Sequence, residues 1–151
     1  MKKYKIIENM LTGAILDDYS RSLDLIWFNF IKDQTIFALH IQCFLRIETK
    51  EDILSTSNDI YMCVNKEKDF NWEVVGDSKF DKDKEHILSL LKGSKVVSVK
   101  FNNKGDVKIL FENSISLSIF RDITSNDEVW RFFKYKAGEE HYVQYLEFKK
   151  E

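Results

Sequence analysis

Between Phe37 and Ile47 the sequence sorts into two alternating sets. Phe37, Leu39, Ile41, Cys43, Leu45 and Ile47 are all apolar, while Ala38, His40, Gln42, Phe44 and Arg46 bring an imidazole, an amide and a guanidinium to the other side. Successive side chains of a strand point to opposite faces, so this pattern predicts one long strand with a core face and a polar face. On such a strand every second residue advances about 7 Å, which sets His40, Gln42 and Arg46 in a row able to hydrogen-bond a carboxylate, a phosphate or a partner's backbone. A solvated face of an antiparallel sheet carries the same kind of residues, and that plainer origin is the commoner one.

Other chemistries lack their parts. His40 and Cys43 have the look of a ligand pair, but residues three apart on a strand face opposite ways, and His86 and His141 lie in no spacing that recruits them, so no metal site is expected. There is no G-x-S-x-G elbow and no cysteine at a helix start, hence no candidate catalytic residue. The glycines are scattered singly, without a phosphate-cradling loop, so no nucleotide and no cofactor is expected. Paired acids at Asp17-Asp18, Asp81 with Asp83, and Glu139-Glu140 fit loops or helix starts. Aromatic residues crowd Trp27-Phe28, Phe30, Phe70, Trp72 and the stretch from Trp130 to Tyr135. Most belong in a core, but rings left outside beside Arg46 or Arg131 would form a protein-binding patch, since hot spots favour Trp, Tyr and Arg.

Two helices and a set of short strands must position these groups. Tyr4, Ile6, Ile7, Met10 and Leu11 recur at helical spacing before Gly13, and Ile87, Leu88, Leu90 and Leu91 do so after Asp81 and Asp83 and before Gly93. Each helix is followed by three strand-like runs: 14–16, 25–29 and 35–41 after the first, 96–99, 107–111 and 114–119 after the second. Turns are expected at Tyr19–Ser22, Lys32–Gln34, Asn102–Asp106 and Phe111–Ser114. The pattern predicts an internal duplication of a helix plus three-strand meander, with pseudo-repeats at roughly 4–47 and 81–134. Ile53–Ser55 and Asp59–Val64 are expected as two strands or as a strand and an irregular edge, and a last hairpin joins 129–133 to 141–146 across Lys136–Glu139. The fold class is α+β, mostly antiparallel sheet with two short helices, each packed across one sheet face.

The 151 residues, 44% of them apolar and 14% aromatic, suit a single domain with a substantial core. A net charge of −2 with interspersed signs gives no support to nucleic-acid binding. No apolar run approaches the roughly 20 residues of a bilayer span, and acids interrupt what would be a signal-peptide core after Met1-Lys2-Lys3, so a cytoplasmic chain is expected. Cys43 and Cys63 are too few for a disulfide framework and are expected to be reduced and buried. Abundant Lys, Ile and Asn without proline fits an A- and T-rich, bacterial genome.

Three stretches together, Leu23–Phe28, Ala38–Ile47 with Ser57–Tyr61, and Trp130–Phe133, resemble a family of small single-domain bacterial proteins of unknown function. Some of its members look like immunity proteins encoded beside polymorphic toxins. The similarity spans most of the chain, and its motifs are diagnostic of no reaction. It implies a non-enzymatic cytosolic protein that works by binding, plausibly by occluding a toxin, with His40, Gln42, Arg46, Asp59, Trp130 and Arg131 as candidate binding residues. Arg46 and Arg131 are alternatively expected to pair with Asp24 or Asp59 in a buried network. The competing function is a small-ligand binder or enzyme with a pocket lined by His40, Gln42 and Arg46; a purely structural or oligomeric role is the third.

Overall fold

A computed structural model describes residues 2–66, 69–136 and 138–144. Helix α1 (Lys2–Leu11) ends at Gly13, whose φ of +87° is open to glycine at little steric cost. Strands β1 (Ile15–Ser22), β2 (Leu25–Lys32), β3 (Thr35–Ile41), β4 (Phe44–Glu48) and β5 (Ile53–Thr56) follow, then a 3-10 turn at Ser57–Tyr61. The order then recurs: α2 (Lys79–Leu91), β6 (Val96–Phe101), β7 (Val107–Phe111), β8 (Ser116–Phe120), β9 (Trp130–Lys134) and β10 (His141–Gln144). Helix α2 starts on a capping box in which the Ser78 hydroxyl accepts from the Asp81 amide and the Asp81 carboxylate accepts from the Ser78 amide.

The strands form two antiparallel five-stranded sheets, ordered β1-β2-β3-β9-β10 and β5-β4-β8-β7-β6. Each meander is therefore completed by the other half's last hairpin: β4 pairs with β8, and β9 pairs with β3. The two halves also meet where their first strands begin, through the Ile15–Lys95 bridge and the bonds Val96 N–H to Ala14 O and Leu16 N–H to Ser94 O. Both first strands carry a bulge two residues later, at Asp17 in β1 and at Val97 in β6.

The inner faces of both sheets bury one continuous cluster that includes Phe28, Phe30, Leu39, Ile41, Leu45, Ile47, Ile109, Phe111, Leu117, Trp130 and Phe132. Phe30 of the first sheet stacks on Phe111 of the second with ring centres 6.4 Å apart, fixing the two sheets face to face. The helices do not each lie across one sheet, as the sequence pattern suggested. Helix α1 touches β2 and β6, and α2 touches β1 and β5, one strand from each sheet, so both helices close the sandwich at its flanks. There Tyr4 of α1 stacks on Phe101, and Phe80 of α2 meets Tyr19 edge-on.

Arg21 and Asp81 pin the α2 flank. The guanidinium is closed off from solvent and grips the carboxylate at 2.8 and 2.7 Å while also donating to Leu23 O and Val74 O. Burial pushes the Asp81 carboxyl up, but the bonds from Arg21, Gly76 and Ser78 outweigh it and hold the group below its ordinary range.

Several expectations are corrected. The run 37–47 is two strands separated at Gln42 and Cys43, because the chain crosses there from the first sheet to the second. Tyr19–Ser22 continues β1, and the turn comes at Leu23-Asp24, with Leu23 at φ 54°. Asp59–Val64 is not a strand: Asp59–Tyr61 belong to the 3-10 turn and Met62–Val64 are irregular. Cys43 is buried, whereas Cys63 is only half-buried. The last hairpin is present as β9 and β10; Ala137 of its connection and the expected strand end at Tyr145-Leu146 lie outside the described residues.

Candidate functional site

Period two in β2, β3, β9 and β10 sends Ile26, Phe28, Phe30, Leu39, Ile41, Trp130 and Phe132 inward and leaves their neighbours on the outer face of the first sheet. Strand register sets those neighbours in two rows crossing all five strands. One row runs Ser20, Trp27, His40, Arg131, Val143, and the next runs Asp18, Asn29, Ala38, Phe133, His141.

At the centre stands Phe133. The His40 ring meets it edge-on at 4.9 Å, and the His141 ring stacks on it at 4.4 Å and 13°. Tyr135 is tilted against it at 5.8 Å and is 60% exposed. Phe133 covers the cross-strand Ala38, which is wholly buried although it lies on the outer face. Arg131 Nε donates to Glu128 Oε1 at 2.7 Å, and its Nη1 lies 2.9 Å from His141 Nδ1. A guanidinium only donates, so His141 Nδ1 is the acceptor in this contact. Burial, then the charge of Arg131, lower the pKa of His40, which is therefore neutral at pH 7. Asn29 Oδ1 is buried beneath the same face with no hydrogen-bond partner among the described residues. The assembly is an aromatic, histidine- and arginine-bearing surface whose side chains hold one another in place.

The six candidates from sequence separate. His40 and Arg131 meet as direct cross-strand partners in this surface. Arg46 is on the other sheet, paired with Glu48 Oε2 at 2.7 Å, so the His40, Gln42 and Arg46 row does not exist. Gln42 is exposed at the crossover, its backbone N–H donating to Val129 O. Asp59 accepts from the Thr56 amide at 3.2 Å and acts as a local cap of the 3-10 turn. Trp130 is 1% exposed and donates Nε1–H to Gly105 O at 2.8 Å, so it is a core residue and not a surface one. The expected pairing of Arg46 or Arg131 with Asp24 or Asp59 is replaced by Glu48 and Glu128, at partly exposed sites; the buried pair is Arg21 with Asp81.

The sequence pattern placed Trp27 and Phe133 only within aromatic stretches and His141 only among scattered histidines, naming none of the three as a binding residue. Period two along β9 already opposes Trp130 to Arg131 and aligns Arg131 with Phe133, so that signal was available; His141 could join only through the pairing of β9 with β10.

Among the described residues no group of three or more His, Cys, Asp and Glu is placed to hold a metal ion, and no helix is long and apolar enough to cross a membrane. The chain matches no protein-family model, no curated protein and no solved structure.

Proposed function

We propose that the chain is a non-enzymatic protein-binding module that docks through the outer face of its first sheet, in the manner of an immunity-type protein covering a toxin. The observation that carries this is the Phe133 cluster: a ring held between His40 and His141, beside an Arg131 fixed by Glu128, on the side of an antiparallel sheet that usually meets water. Trp, Tyr and Arg anchors dominate protein–protein binding energy, and Trp27, Tyr135 and Arg131 occupy this face. Contacts with Phe133, and with Glu128 and His141, already restrict Tyr135 and Arg131, which lowers the ordering cost of association. Trp130, buried and bonded to Gly105, supports the platform and makes no contact with a partner.

The test is capture from the source cells with the tagged chain, run beside Trp27→Ala and Phe133→Ala. One stoichiometric protein lost in both variants, and toxic to cells unless the chain is co-expressed, supports the proposal. A partner retained by both variants, or a captured protein without toxicity, would overturn the docking face or the immunity role respectively.

A further inference from the structure

The outer face of the second sheet is built on the same rows but carries different groups. Thr56, Arg46, Ser118, Lys108 and Lys100 line up across the five strands, and Ile53, Glu48, Ser116, Leu110 and Ser98 form the row beside them. This face is concave. A trough of about 580 Å³ is lined by Glu48, Lys50, Ser98, Lys100, Lys108 and Ser116, and an adjoining hollow of about 300 Å³ shares Glu48, Lys100 and Lys108 and adds Arg46 and Ser118. The size falls within that of small-ligand sites, roughly 300–1,000 Å³.

Lys100 and Lys108 are direct cross-strand partners. Like charges so placed destabilise a sheet, and an acid opposite or diagonal is the usual relief. Here the acid on the floor, Glu48, is engaged by Arg46 at 2.7 Å and by the Ser118 hydroxyl at 3.1 Å. Neither lysine has a carboxylate within ion-pair distance among the described residues. Asp106 also borders the hollow and accepts from the Asn102 side chain and the Arg121 backbone N–H, so the two adjacent, exposed ammonium groups face a hollow whose carboxylates are both engaged by other groups. Below them Ser116 and Ser118 are only 5% and 4% exposed, so their hydroxyls form a floor rather than a rim. Such a floor suits hydroxyl groups, and the paired ammoniums suit a phosphate.

We infer that this trough binds a phosphorylated, hydroxyl-bearing small molecule of the sugar-phosphate class, its phosphate between Lys100 and Lys108 and its hydroxyls over Ser98, Ser116 and Glu48. The site is independent of the docking face on the other sheet. A nucleic-acid strand is disfavoured, because Glu48 and Asp106 stand in the same hollow and the chain as a whole carries −2.

The full chain, labelled with ¹⁵N, is titrated by NMR with ribose 5-phosphate, with ribose, with inorganic phosphate and with a short single-stranded oligonucleotide. The expected result is saturable shifts confined to the amides of β6, β7 and β8 with ribose 5-phosphate, weaker binding of inorganic phosphate and none of ribose. Lys100→Gln and Lys108→Gln each weaken it about tenfold while leaving the rest of the spectrum in place. Absence of saturable shifts, equal affinity for inorganic phosphate, unchanged affinity in both variants, or binding of the oligonucleotide without ribose 5-phosphate would each overturn the assignment.

Discussion

The two outer faces of this molecule occupy equivalent places on equivalent backbones, yet their chemistry diverges around one shared feature, an arginine held by a glutamate. Arg131 on β9 and Arg46 on β4 sit at matching positions of the two hairpins that cross between sheets, and each is held by a nearby glutamate, Glu128 or Glu48, at 2.7 Å. Around Arg131 the neighbours are Trp27, His40, Phe133 and His141; around Arg46 they are Ser118, Lys108, Lys100 and Ser116. The core demands apolar residues at inward positions of both sheets and leaves the outward ones free, so one sheet was able to become a rigid aromatic surface and the other a polar hollow. What differs between them is therefore the better guide to function, and what they share is the better guide to folding.

That contrast can be broken most severely from underneath. Replacing Trp130 by alanine removes a fully buried indole and its bond to Gly105, and should cost about 3–5 kcal/mol in chemical denaturation, with both faces lost together. A loss confined to the first face would show that the sheets are less coupled than their shared core implies. Comparable in size is Asp81→Asn, which leaves the buried Arg21 without its counter-charge and should cost about 3–5 kcal/mol. Glu48→Gln and Glu128→Gln, at the partly exposed pairs, should cost about 1 kcal/mol or less by the same measurement.

Phe133→Ala separates the faces: stability should fall by about 1–2 kcal/mol, while affinity for a protein partner falls at least tenfold and the titration of the second-sheet trough is unchanged.

His40 supplies a pH-dependent distinction. Its folded pKa lies below the ordinary value, so as pH falls through about 6.5 the unfolded chain takes up a proton that the folded chain does not, and stability declines. Denaturation midpoints measured from pH 7 downward should show that decline, and His40→Gln should flatten it. The smallest effect belongs to the other sheet: Lys100→Gln should raise stability by about 0.2–0.5 kcal/mol at low salt, with the gain disappearing as salt rises or phosphate is added.

Much of the architecture could be read from the chain, because it rests on local rules. Gly13 and Gly93 end helices, Lys32–Gln34 and Asn102–Asp106 turn hairpins, and alternation picks out the apolar set from Phe37 to Ile47, every member of which is buried. The site resisted for one physical reason. Alternation continues in phase through Gln42 and Cys43, since both β3 and β4 present the same parity to the core, and nothing local marks that the chain has changed sheets there. His40 and Arg46 therefore look like neighbours in sequence while standing on opposite outsides of the molecule. The true neighbours of His40, namely Arg131, Phe133 and Trp27, are set by strand register between distant segments, which composition and spacing do not encode.

The exchange of terminal hairpins also governs how the chain must come together. Neither meander ends its own sheet: β3 has a bare edge until β9 arrives from the far end of the chain, and β8 has one for β4 to cover. The first half, leaving synthesis ahead of the second, thus carries an open strand edge and an exposed apolar face that only later residues can close. Hairpins between consecutive strands can form early, while the two pairings that join distant segments, β3 with β9 and β4 with β8, must close long loops and belong to the slower part of assembly.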